Sequence, residues 1–531
     1  MAADFDAVVA GSGFGGSVVG CRLAEAGYRV LVLERGRRWR PEDYPRRPDD
    51  DWIFDASSPE KRNGWIDLRV FPNMTVVLGA GVGGGSLIYA NVSIEAKPEL
   101  FAAGWPPEIT YDELRPYYER VGQMLAIREI PANQWTERTR LMRDAAQATG
   151  YADRFRTLPL AVAFDENWHY GLPDPHNPEH SRRFINAHGQ EQGTCVHLGN
   201  CVIGCEVRAK NTLDLNYIPT AERHGAEFRP LHLVTRLQIA PEGYRVFYDR
   251  LEGGQRVSGS VTGRIVVLAA GSLGSTELLL RCRNQFRTLP AISSRLGENW
   301  SSNGNFLTPA FHAGRDARPT VGPTISAAID FLGERSLDGR HHFIIEDGGF
   351  PDLVRNFLTS KAAESPEGSR ARAFVESLRF LLRQGDPLRA AMPWFGNARD
   401  AANGRLRLRR RWWLFGEHRL HLDWDVNASE PAFNALIEMH ERLARATNGT
   451  PFVPLTWTLA RDLVTVHPLG GCNLAADPSR GVVDHRGEVF GYRNLYVADG
   501  SIIPEAIGAN PSKTIAALAE RIAKLIIEEG R

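Results

Sequence analysis

The feature that most constrains the fold is a glycine-rich turn between two short apolar strands near the N-terminus. Residues Phe5 to Ala10 have the pattern of a buried strand, and the turn Gly11 to Gly16 follows directly. A helical pattern then runs to Ala26, and a second apolar strand ends at Glu34. This order of elements, with a GxGxxG turn and a terminal acid, is typical of the βαβ unit that binds a dinucleotide. The sequence therefore predicts a bound dinucleotide.

Each part of this unit has an expected role. Gly11 permits the tight turn, Gly13 lets a pyrophosphate approach the backbone, and Gly16 allows close packing of the helix. The helix N-terminus faces the phosphates, and Glu34 is placed to bind ribose hydroxyls. The predicted cofactor contacts in this unit are Gly11, Gly13, Phe14, Gly15, Gly16 and Glu34.

A second glycine cluster lies between Leu78 and Asn91. Four glycines within five positions cost conformational entropy in a core, but they suit a backbone that lies against a flat ligand or a pyrophosphate. A glycine-rich turn between two strands is the alternative. The predicted contacts here are Gly81, Gly83, Gly84, Gly85, Ser86 and Asn91.

A third glycine turn follows the apolar strand that begins at Arg264. Ala270 and Gly271 form this turn, and a helical pattern begins after it. Strand, turn and helix together predict another element of the same parallel sheet, and Ala270 and Gly271 are predicted cofactor contacts.

Two polar residues near the C-terminus are candidates for catalysis. His467 lies in the segment Val466 to Gly471, and Asn510 lies in the segment Gly508 to Pro511. Both segments are rich in glycine and proline, so both are predicted turns. An imidazole can take a proton and a carboxamide can donate or accept a hydrogen bond, so the pair can act on one small polar atom.

These motifs together resemble the glucose–methanol–choline (GMC) family of FAD-dependent alcohol oxidoreductases, and most of all its bacterial cholesterol-oxidase-like branch. The resemblance spans the whole chain, and its specific motifs lie in the segments 11–16, 82–87, 270–279, 296–305 and 465–520. It implies tightly bound FAD and an active-site pair of His with His or Asn, at positions that His467 and Asn510 occupy. It also implies that Asp499, Gly500, Asn510 and Pro511 contact the cofactor.

The same resemblance implies an α/β fold of two interleaved domains. A Rossmann-like FAD-binding domain is expected from residues 1–95, 190–310 and 456–531. An α+β substrate domain built on an antiparallel sheet is expected from residues 96–189 and 311–455. Strand-like runs at 327–331, 342–346 and 420–424, and helical patterns at 370–383 and 431–446, fall in the second domain.

The expected reaction is oxidation of an alcohol, secondary or bulky and possibly steroid-like, to a carbonyl. Flavin N5 accepts the hydride, His467 acts as the base or polarises the hydroxyl, and Asn510 orients the alcohol oxygen. Cholesterol oxidases also carry a pocket glutamate that serves a double-bond shift. No Glu falls cleanly at that place, which counts against isomerisation and against a sterol substrate. Glu346 or Asp352 could substitute, but a structural or surface role is expected for both.

Three cysteines cluster with the spacing C-x5-C-x3-C at Cys195, Cys201 and Cys205. Thiolates this close suit a three-iron cluster, and the spacing resembles that of GMC-type glucose dehydrogenases that carry one. The segment after Cys205 lacks the proline that is usual there. Zinc with His197 as a fourth ligand and a loop of unligated cysteines are the alternatives.

Composition excludes some partners and leaves the electron acceptor open. Lys and Arg number 63, as do Asp and Glu, so no net charge attracts nucleic acid. Met1 leads directly into a strand without a signal sequence, and no apolar run reaches the roughly 18 residues of a membrane helix, so cytoplasmic residence is expected. The basic run 405–413 reads as a solvated strand and turn or as a patch for a membrane or an acidic partner.

Two further functions remain open at this point. The first is a sugar or glycoside dehydrogenase of the same family that passes electrons through an iron–sulfur cluster. The second is a flavoprotein without alcohol chemistry, either an electron carrier or a photoenzyme. The acceptor is O2 or a diffusible or protein acceptor.

Overall fold

The computed structural model describes residues 3–47, 49–353, 387–410 and 418–530. Its α-helices are, in chain order, α1 (Phe14–Glu25), α2 (Tyr111–Met124), α3 (Glu137–Ala148), α4 (Tyr217–Arg223), α5 (Gly271–Leu280), α6 (Glu430–Ala446), α7 (Leu455–Ala460) and α8 (Ser512–Glu529). Its strands are β1 (Phe5–Ala10), β2 (Val30–Leu33), β3 (Ile66–Phe71), β4 (Met74–Gly79), β5 (Phe155–Thr157), β6 (Phe184–Ile185), β7 (Glu191–Gln192), β8 (Glu227–Arg229), β9 (His232–Ala240), β10 (Gly243–Glu252), β11 (Gln255–Leu268), β12 (Phe306–His312), β13 (Ala327–Phe331), β14 (Phe343–Asp347), β15 (Ala391–Ala398), β16 (Arg405–Arg410), β17 (His418–Asp423), β18 (Gly449–Pro451), β19 (Leu463–Thr465) and β20 (Leu495–Val497).

The larger sheet has a parallel part and an antiparallel part that share one long strand. Strands β8, β2, β1, β11 and β20 are parallel neighbours, in that order. The first half of β11 instead pairs antiparallel with β10, which pairs with β9. The apolar runs of β1, β2 and the end of β11 are buried on both faces, as parallel strands covered by helices are. The predicted α/β fold with a Rossmann-like unit is confirmed.

One buried carboxylate joins three helices that cover this sheet. Glu520 of α8 is fully buried and receives a bidentate pair of bonds from Arg22 of α1, both 2.8 Å long. Tyr217 of α4 donates to the same carboxylate at 2.7 Å. Since the charge is paired and hydrogen-bonded on both oxygens, its burial is compensated, and the contact fixes the C-terminal helix against the first one.

The second sheet has six strands, and all its neighbouring pairs are antiparallel. The order is β18, β12, β15, β14, β13 and β5. Helix α6 packs on β12 and β15, and at Gly396 the approach is so close that a Cβ atom would lie 2.5 Å from a Leu436 methyl carbon. This is the antiparallel sheet that the sequence predicted. The domain boundaries themselves stay a prediction.

Most predicted elements of the second domain have counterparts in the described residues. Strand β13 coincides with the predicted run 327–331, β14 is shifted by one residue from 342–346, and α6 begins one residue before the predicted helix. The run 420–424 falls in β17, which pairs with β16 in a separate two-stranded ribbon. The predicted helix 370–383 and residues 411–413 of the basic run lie outside the described residues.

Within the described part of the chain, no helix is both long and apolar enough to cross a membrane.

The segment Ser301 to Asn305, a turn just before β12, forms hydrogen bonds with both C-terminal turns. Ser301 and Leu469 exchange backbone hydrogen bonds of 3.0 and 3.1 Å. Two residues later, the Asn303 amide donates to the carbonyl of Ala509 at 2.7 Å and accepts from the N–H of Gly508 at 2.8 Å. Residues of one short turn therefore position the segments of both candidate catalytic residues.

Replacing Asn303 by Ala is expected to lower the free energy of unfolding by about 2–4 kcal/mol, because Gly508 N–H and Ala509 C=O lose their partner in a buried site. Asn73→Ala is the matched control. Both asparagines have a left-handed backbone, with φ of 55° and 62°, so the strain of the substitution is shared, but the amide of Asn73 makes an exposed bond. Urea unfolding at fixed FAD concentration measures both, and equal losses would contradict the role given to Asn303.

Candidate active site

His467 follows β19 at the edge where the C-terminal segment meets the second sheet. Its backbone N–H donates to the hydroxyl oxygen of Thr465 at 3.0 Å, which fixes the start of the turn. The residue as a whole is half-buried. Its Nδ1 lies 3.0 Å from Asn305 Nδ2 and 3.0 Å from Asn397 Oδ1, whereas its Nε2 makes no hydrogen bond with the described residues. One nitrogen is therefore held by the protein and the other is available.

Asn305 and Asn397 form a connected pair of amides beside the imidazole. Asn305 precedes β12 and Asn397 lies on the neighbouring strand β15. Asn305 Oδ1 accepts from the backbone N–H of Val466 at 3.0 Å, and its Nδ2 donates to Asn397 Oδ1 at 2.7 Å. Both side chains are buried, so each bond replaces one that water would otherwise supply.

Glu346 links the amide pair to Asn510. It lies on β14, beside the strand of Asn397, and is fully buried. Its Oε2 accepts from Asn397 Nδ2 at 3.1 Å and from Asn510 Nδ2 at 3.4 Å. Glu346 Oε1 and Asn510 Oδ1 are buried and have no hydrogen-bond partner in the described chain. The structure thus brings His467 and Asn510 into one hydrogen-bonded network, through residues that the sequence did not predict.

Burial keeps both titratable groups of this network uncharged near pH 7. Desolvation raises the pKa of Glu346 to about 8, since the amide bonds that favour its ionised form compensate only in part. Desolvation also lowers the pKa of His467 to about 3. A neutral imidazole is the form that can accept a proton, and a neutral carboxyl group near its pKa can release and regain one.

Two glycine loops predicted to hold the cofactor lie against each other. A Cβ atom on Gly84 would lie 2.6 Å from the Cα atom of Gly13, so only glycine fits at position 84. Behind them, a Cβ atom on Gly15 would lie 1.5 Å from the carbonyl oxygen of Ala498, at the end of β20. Gly85, by contrast, faces open space, with no atom within 4 Å of an added Cβ. These loops form a cradle of backbone that leaves room on one side.

Polar groups around the cradle suit a dinucleotide. Asn91 is fully buried, and neither of its side-chain polar atoms has a hydrogen-bond partner among the described residues, which is costly unless a ligand completes the bonds. Glu34 accepts from the N–H and hydroxyl of Ser12 and from the N–H of Gly36, and a carboxylate has room for one more donor. The donor set, the glycine cradle and the unpaired amide therefore fit FAD, which is the cofactor of the family identified below.

The remaining predicted contacts surround the same cradle. Asp499 is buried and accepts from the N–H of Gly271 at 2.9 Å and from Ser275, so it joins the third glycine turn to the end of β20. Phe14 stacks edge-on against Tyr89. Ser86 is buried and donates to Gly83. Gly81, Gly83 and Ala270 lie in the second and third glycine turns, Gly500 follows Asp499, and Pro511 directly precedes α8. Each assignment to FAD stays a prediction.

The three clustered cysteines do not form a metal site in the described residues. No group of three or more His, Cys, Asp or Glu side chains converges there in a way that could hold a metal ion. Cys195 and Cys205 accept weak bonds from the N–H groups of His197 and Ala209, and burial raises the pKa of both thiols. The ring of His197 stacks on Trp168 at 4.1 Å. The iron–sulfur hypothesis and its zinc alternative therefore gain no support.

Sequence reasoning missed two residues of the network and misjudged a third. Asn305 lies in the segment used for the family resemblance, but nothing marked its side chain as functional, and Asn397 lies in an apolar strand pattern without any signal. Glu346 was expected to have a structural or surface role. The surface role is wrong, since this side chain contacts Asn510 inside the site. Asp352 is exposed, as expected. A carboxylate at the end of the buried run 343–347 was the available signal.

Comparisons with known proteins agree with the family resemblance and with the fold. The family model described as GMC oxidoreductase matches residues 401–519, and one described as NAD(P)-binding Rossmann-like domain matches residues 9–50. Cholesterol oxidase of Acinetobacter baumannii is 31% identical over 98% of this chain and 93% of its own length. Cholesterol oxidase of Mycobacterium tuberculosis is 31% identical over 100% of this chain and 92% of its own. The crystal structure of pyridoxine 4-oxidase from Mesorbium loti superposes with a TM-score of 0.62 at 17% identity, covering 98% of each chain.

Substituting Gly85 by Ala tests the cofactor cradle. An added methyl meets no protein atom, so the stability of the apoprotein is expected to stay within about 0.5 kcal/mol. FAD affinity is expected to fall at least about tenfold, or about 1.4 kcal/mol, because the methyl enters the space that the ligand needs. Calorimetric titration of apoprotein with FAD measures the affinity. Gly122→Ala, in α2, is the control that should bind FAD as the wild type does; equal affinity for both variants would place FAD elsewhere.

Proposed function

The chain belongs to the GMC oxidoreductase family, in its cholesterol-oxidase-like branch, and we propose that it oxidises a bulky secondary hydroxyl of the steroid type. Membership makes it an FAD-dependent enzyme that oxidises CH–OH groups. The proposal concerns the substrate class and the residues that act on it. Bound FAD supplies the acceptor for the carbinol hydride.

His467 is the base of the proposed reaction. Its Nε2 takes the hydroxyl proton as the C–H bond is broken, so that the alcohol becomes a carbonyl. The imidazole is neutral over the ordinary pH range because burial holds its pKa near 3. The Nδ1 contacts to two amides fix the ring plane, which aims Nε2 without a rotameric search.

Asn510 orients the alcohol oxygen. One of its N–H groups is directed at Glu346, and this fixes the direction of the amide. Its Oδ1 and its second N–H then remain for the substrate hydroxyl. The alcohol oxygen would lie between Asn510 and His467, and the carbinol hydrogen would be held in a constant direction.

One observation carries this proposal. His467, Asn510 and Glu346, although far apart in sequence, belong to one buried network, and each keeps a polar atom without a partner in the described chain. A structural network would satisfy its buried atoms. Polar atoms that lack a hydrogen-bond partner in this way suit a ligand with a polar group that can bond to them.

Apolar side chains beside the site favour a hydrophobic substrate. Val466, next to His467, has 44% of its surface exposed, and Leu307, two residues beyond Asn305, has 45% exposed. The aromatic ring of Phe395 lies 6.4 Å from the imidazole. A sugar or glycoside substrate, the alternative within the family, would instead need several polar side chains around its hydroxyl groups.

Molecular oxygen is the proposed electron acceptor, since the two relatives above are named oxidases. The alternative with an iron–sulfur cluster and a protein acceptor predicts iron in the purified protein. The alternative of a flavoprotein without alcohol chemistry predicts that no alcohol bleaches the flavin absorbance. One visible spectrum, recorded before and after adding a panel of alcohols that includes cholesterol, separates the three.

Replacing His467 by Ala and by Gln separates a base from an orienting group. A lost base is expected to slow anaerobic bleaching of the flavin absorbance by at least about 100-fold. Gln can still donate or accept a hydrogen bond but takes no proton, so both variants should be equally slow in stopped-flow measurements with cholesterol and the other alcohols. Recovery in His467→Gln would assign His467 an orienting role, and wild-type rates in His467→Ala would exclude it from the chemistry.

Isomerisation of the product is a second candidate activity, and Glu346 favours it. When a carbonyl lies next to a CH2 group that is followed by a double bond, moving one proton from the CH2 carbon to the far alkene carbon gives a conjugated enone. In its ionised form, the minor one at pH 7, Glu346 can take this proton on Oε1 and return it, without any change in oxidation state. A pKa of about 8 lets the group exchange a proton near neutral pH.

Glu346→Gln is expected to uncouple the two activities. The formation of conjugated enone from cholesterol should fall at least about 100-fold, whereas bleaching of the flavin should slow by less than about tenfold. Gln keeps the shape of the side chain and an oxygen for the two amides. Ultraviolet absorbance of the extracted product reports the enone, and stopped-flow absorbance reports the flavin. Unchanged enone formation would exclude Glu346 as the proton carrier.

A further inference from the structure

The Nδ1 atom of His467 lies at equal distance from one hydrogen-bond acceptor and one donor. Asn397 Oδ1 and Asn305 Nδ2 are both 3.0 Å away. If Nδ1 carries the proton, it can donate to Asn397, and Nε2 has a lone pair. If Nδ1 is unprotonated, it can accept from Asn305, and Nε2 carries the proton. The two asparagines therefore favour opposite tautomers of the same ring.

The directions of both amides follow from their other partners. A backbone N–H only donates, so the bond from Val466 identifies Asn305 Oδ1 and turns Nδ2 towards Asn397 and the imidazole. Asn305 Nδ2 then meets the oxygen of Asn397 at 2.7 Å. The remaining end of Asn397 is its Nδ2, which donates to Glu346 Oε2 at 3.1 Å. The Val466 N–H group donates at one end of this series of hydrogen bonds, and Glu346 accepts at the other. Together they fix the orientation of both amides.

Only one of the two tautomers can act as the proposed base. A proton from the alcohol needs a lone pair on Nε2, and Nδ1–H then needs an acceptor. Asn397 Oδ1 is the one acceptor that contacts Nδ1 within the described residues. After proton transfer the ring is a cation in a desolvated site, and the same Asn397 oxygen is aimed at its Nδ1–H, where the bond strengthens with the charge.

We propose that Asn397 is the positioning residue that makes His467 a base: its Oδ1 accepts the Nδ1 proton and leaves Nε2 free, with Glu346 holding the Asn397 amide in that direction. Asn305 orients Asn397 but competes for Nδ1 as a donor. This inference rests on the proposed function, in which Nε2 takes the hydroxyl proton. It adds that the tautomer of the imidazole determines whether the ring can act as a base.

Two substitutions of the same kind should have opposite effects. Asn397→Leu keeps the size of the side chain but removes the acceptor, so Asn305 becomes the partner of Nδ1 and the proton moves to Nε2. Asn305→Leu removes the competing donor, and Nδ1–H stays on Asn397. Glu346→Gln should keep the Nδ1–H tautomer, since Gln still offers an oxygen to Asn397. If both asparagines had only a structural role, the Asn305 and Asn397 variants would show the same tautomer of His467.

Nitrogen-15 NMR of the holoenzyme labelled at histidine measures the tautomer directly. The signals of His467 are identified by their loss in His467→Gln. In the wild type and in Asn305→Leu, the shift of Nδ1 is expected in the protonated range and that of Nε2 in the unprotonated range. In Asn397→Leu the two are expected to exchange. An Nε2–H tautomer in the wild type, or an unchanged tautomer in Asn397→Leu, would overturn the proposal.

Kinetics of flavin bleaching, with the fastest alcohol of the panel, complete the test. Asn397→Leu is expected to be slower by at least about 100-fold and Asn305→Leu by less than about tenfold, because only the first removes the base. The flavin spectrum of each variant shows whether it folds and retains FAD. If either variant fails to fold, Asn397→Ser and Asn305→Ser replace them. The tautomer of the wild type is then still sufficient to overturn the proposal. Fast turnover in His467→Ala would instead refute the proposed function while leaving the tautomer result intact.

Discussion

The site depends on one short segment, Ser301 to Asn305, whose backbone turns through left-handed conformations at Asn303 and Gly304. Ser301 bonds to Leu469 through the backbone, and the side chains of Asn303 and Asn305 bond to the backbone of both C-terminal turns. Hydrogen bonds to this one segment thereby hold the two turns in place beside each other. Neutral amide and backbone hydrogen bonds keep these contacts through changes of pH that would release ion pairs.

The polar network beside this segment gains its properties from burial. Desolvation moves the pKa of Glu346 upwards and that of His467 downwards, so both groups are neutral near pH 7. No charge in the network then competes with the charge that develops on the substrate. Each amide has a donor end and an acceptor end. The orientation of the amides therefore polarises the site, a role that charged groups have in many other active sites.

The sequence predicted the parts of this molecule that have a local pattern. The βαβ unit of β1, α1 and β2 was predicted because its glycine spacing and apolar runs are contiguous, and His467 and Asn510 because each lies in a glycine- and proline-rich turn. Asn397 and Glu346 were not identified, because their role comes from neighbouring strands β14 and β15, whose pairing no local pattern specifies. Helix α6 had a clear periodicity, whereas the pairing of β17 with β16 in a separate ribbon was not predicted, since strand partners are set by tertiary contacts.

The long strand β11 has a consequence for how the protein is made. Its last residues pair on one side with β1, which is synthesised earlier, and on the other with β20, which is synthesised later. On the ribosome, the flank of β11 that pairs with β20 stays without this partner until more than two hundred further residues have been added. The parallel sheet is therefore completed only after β20 has been synthesised, and until then an apolar strand edge is open to other chains.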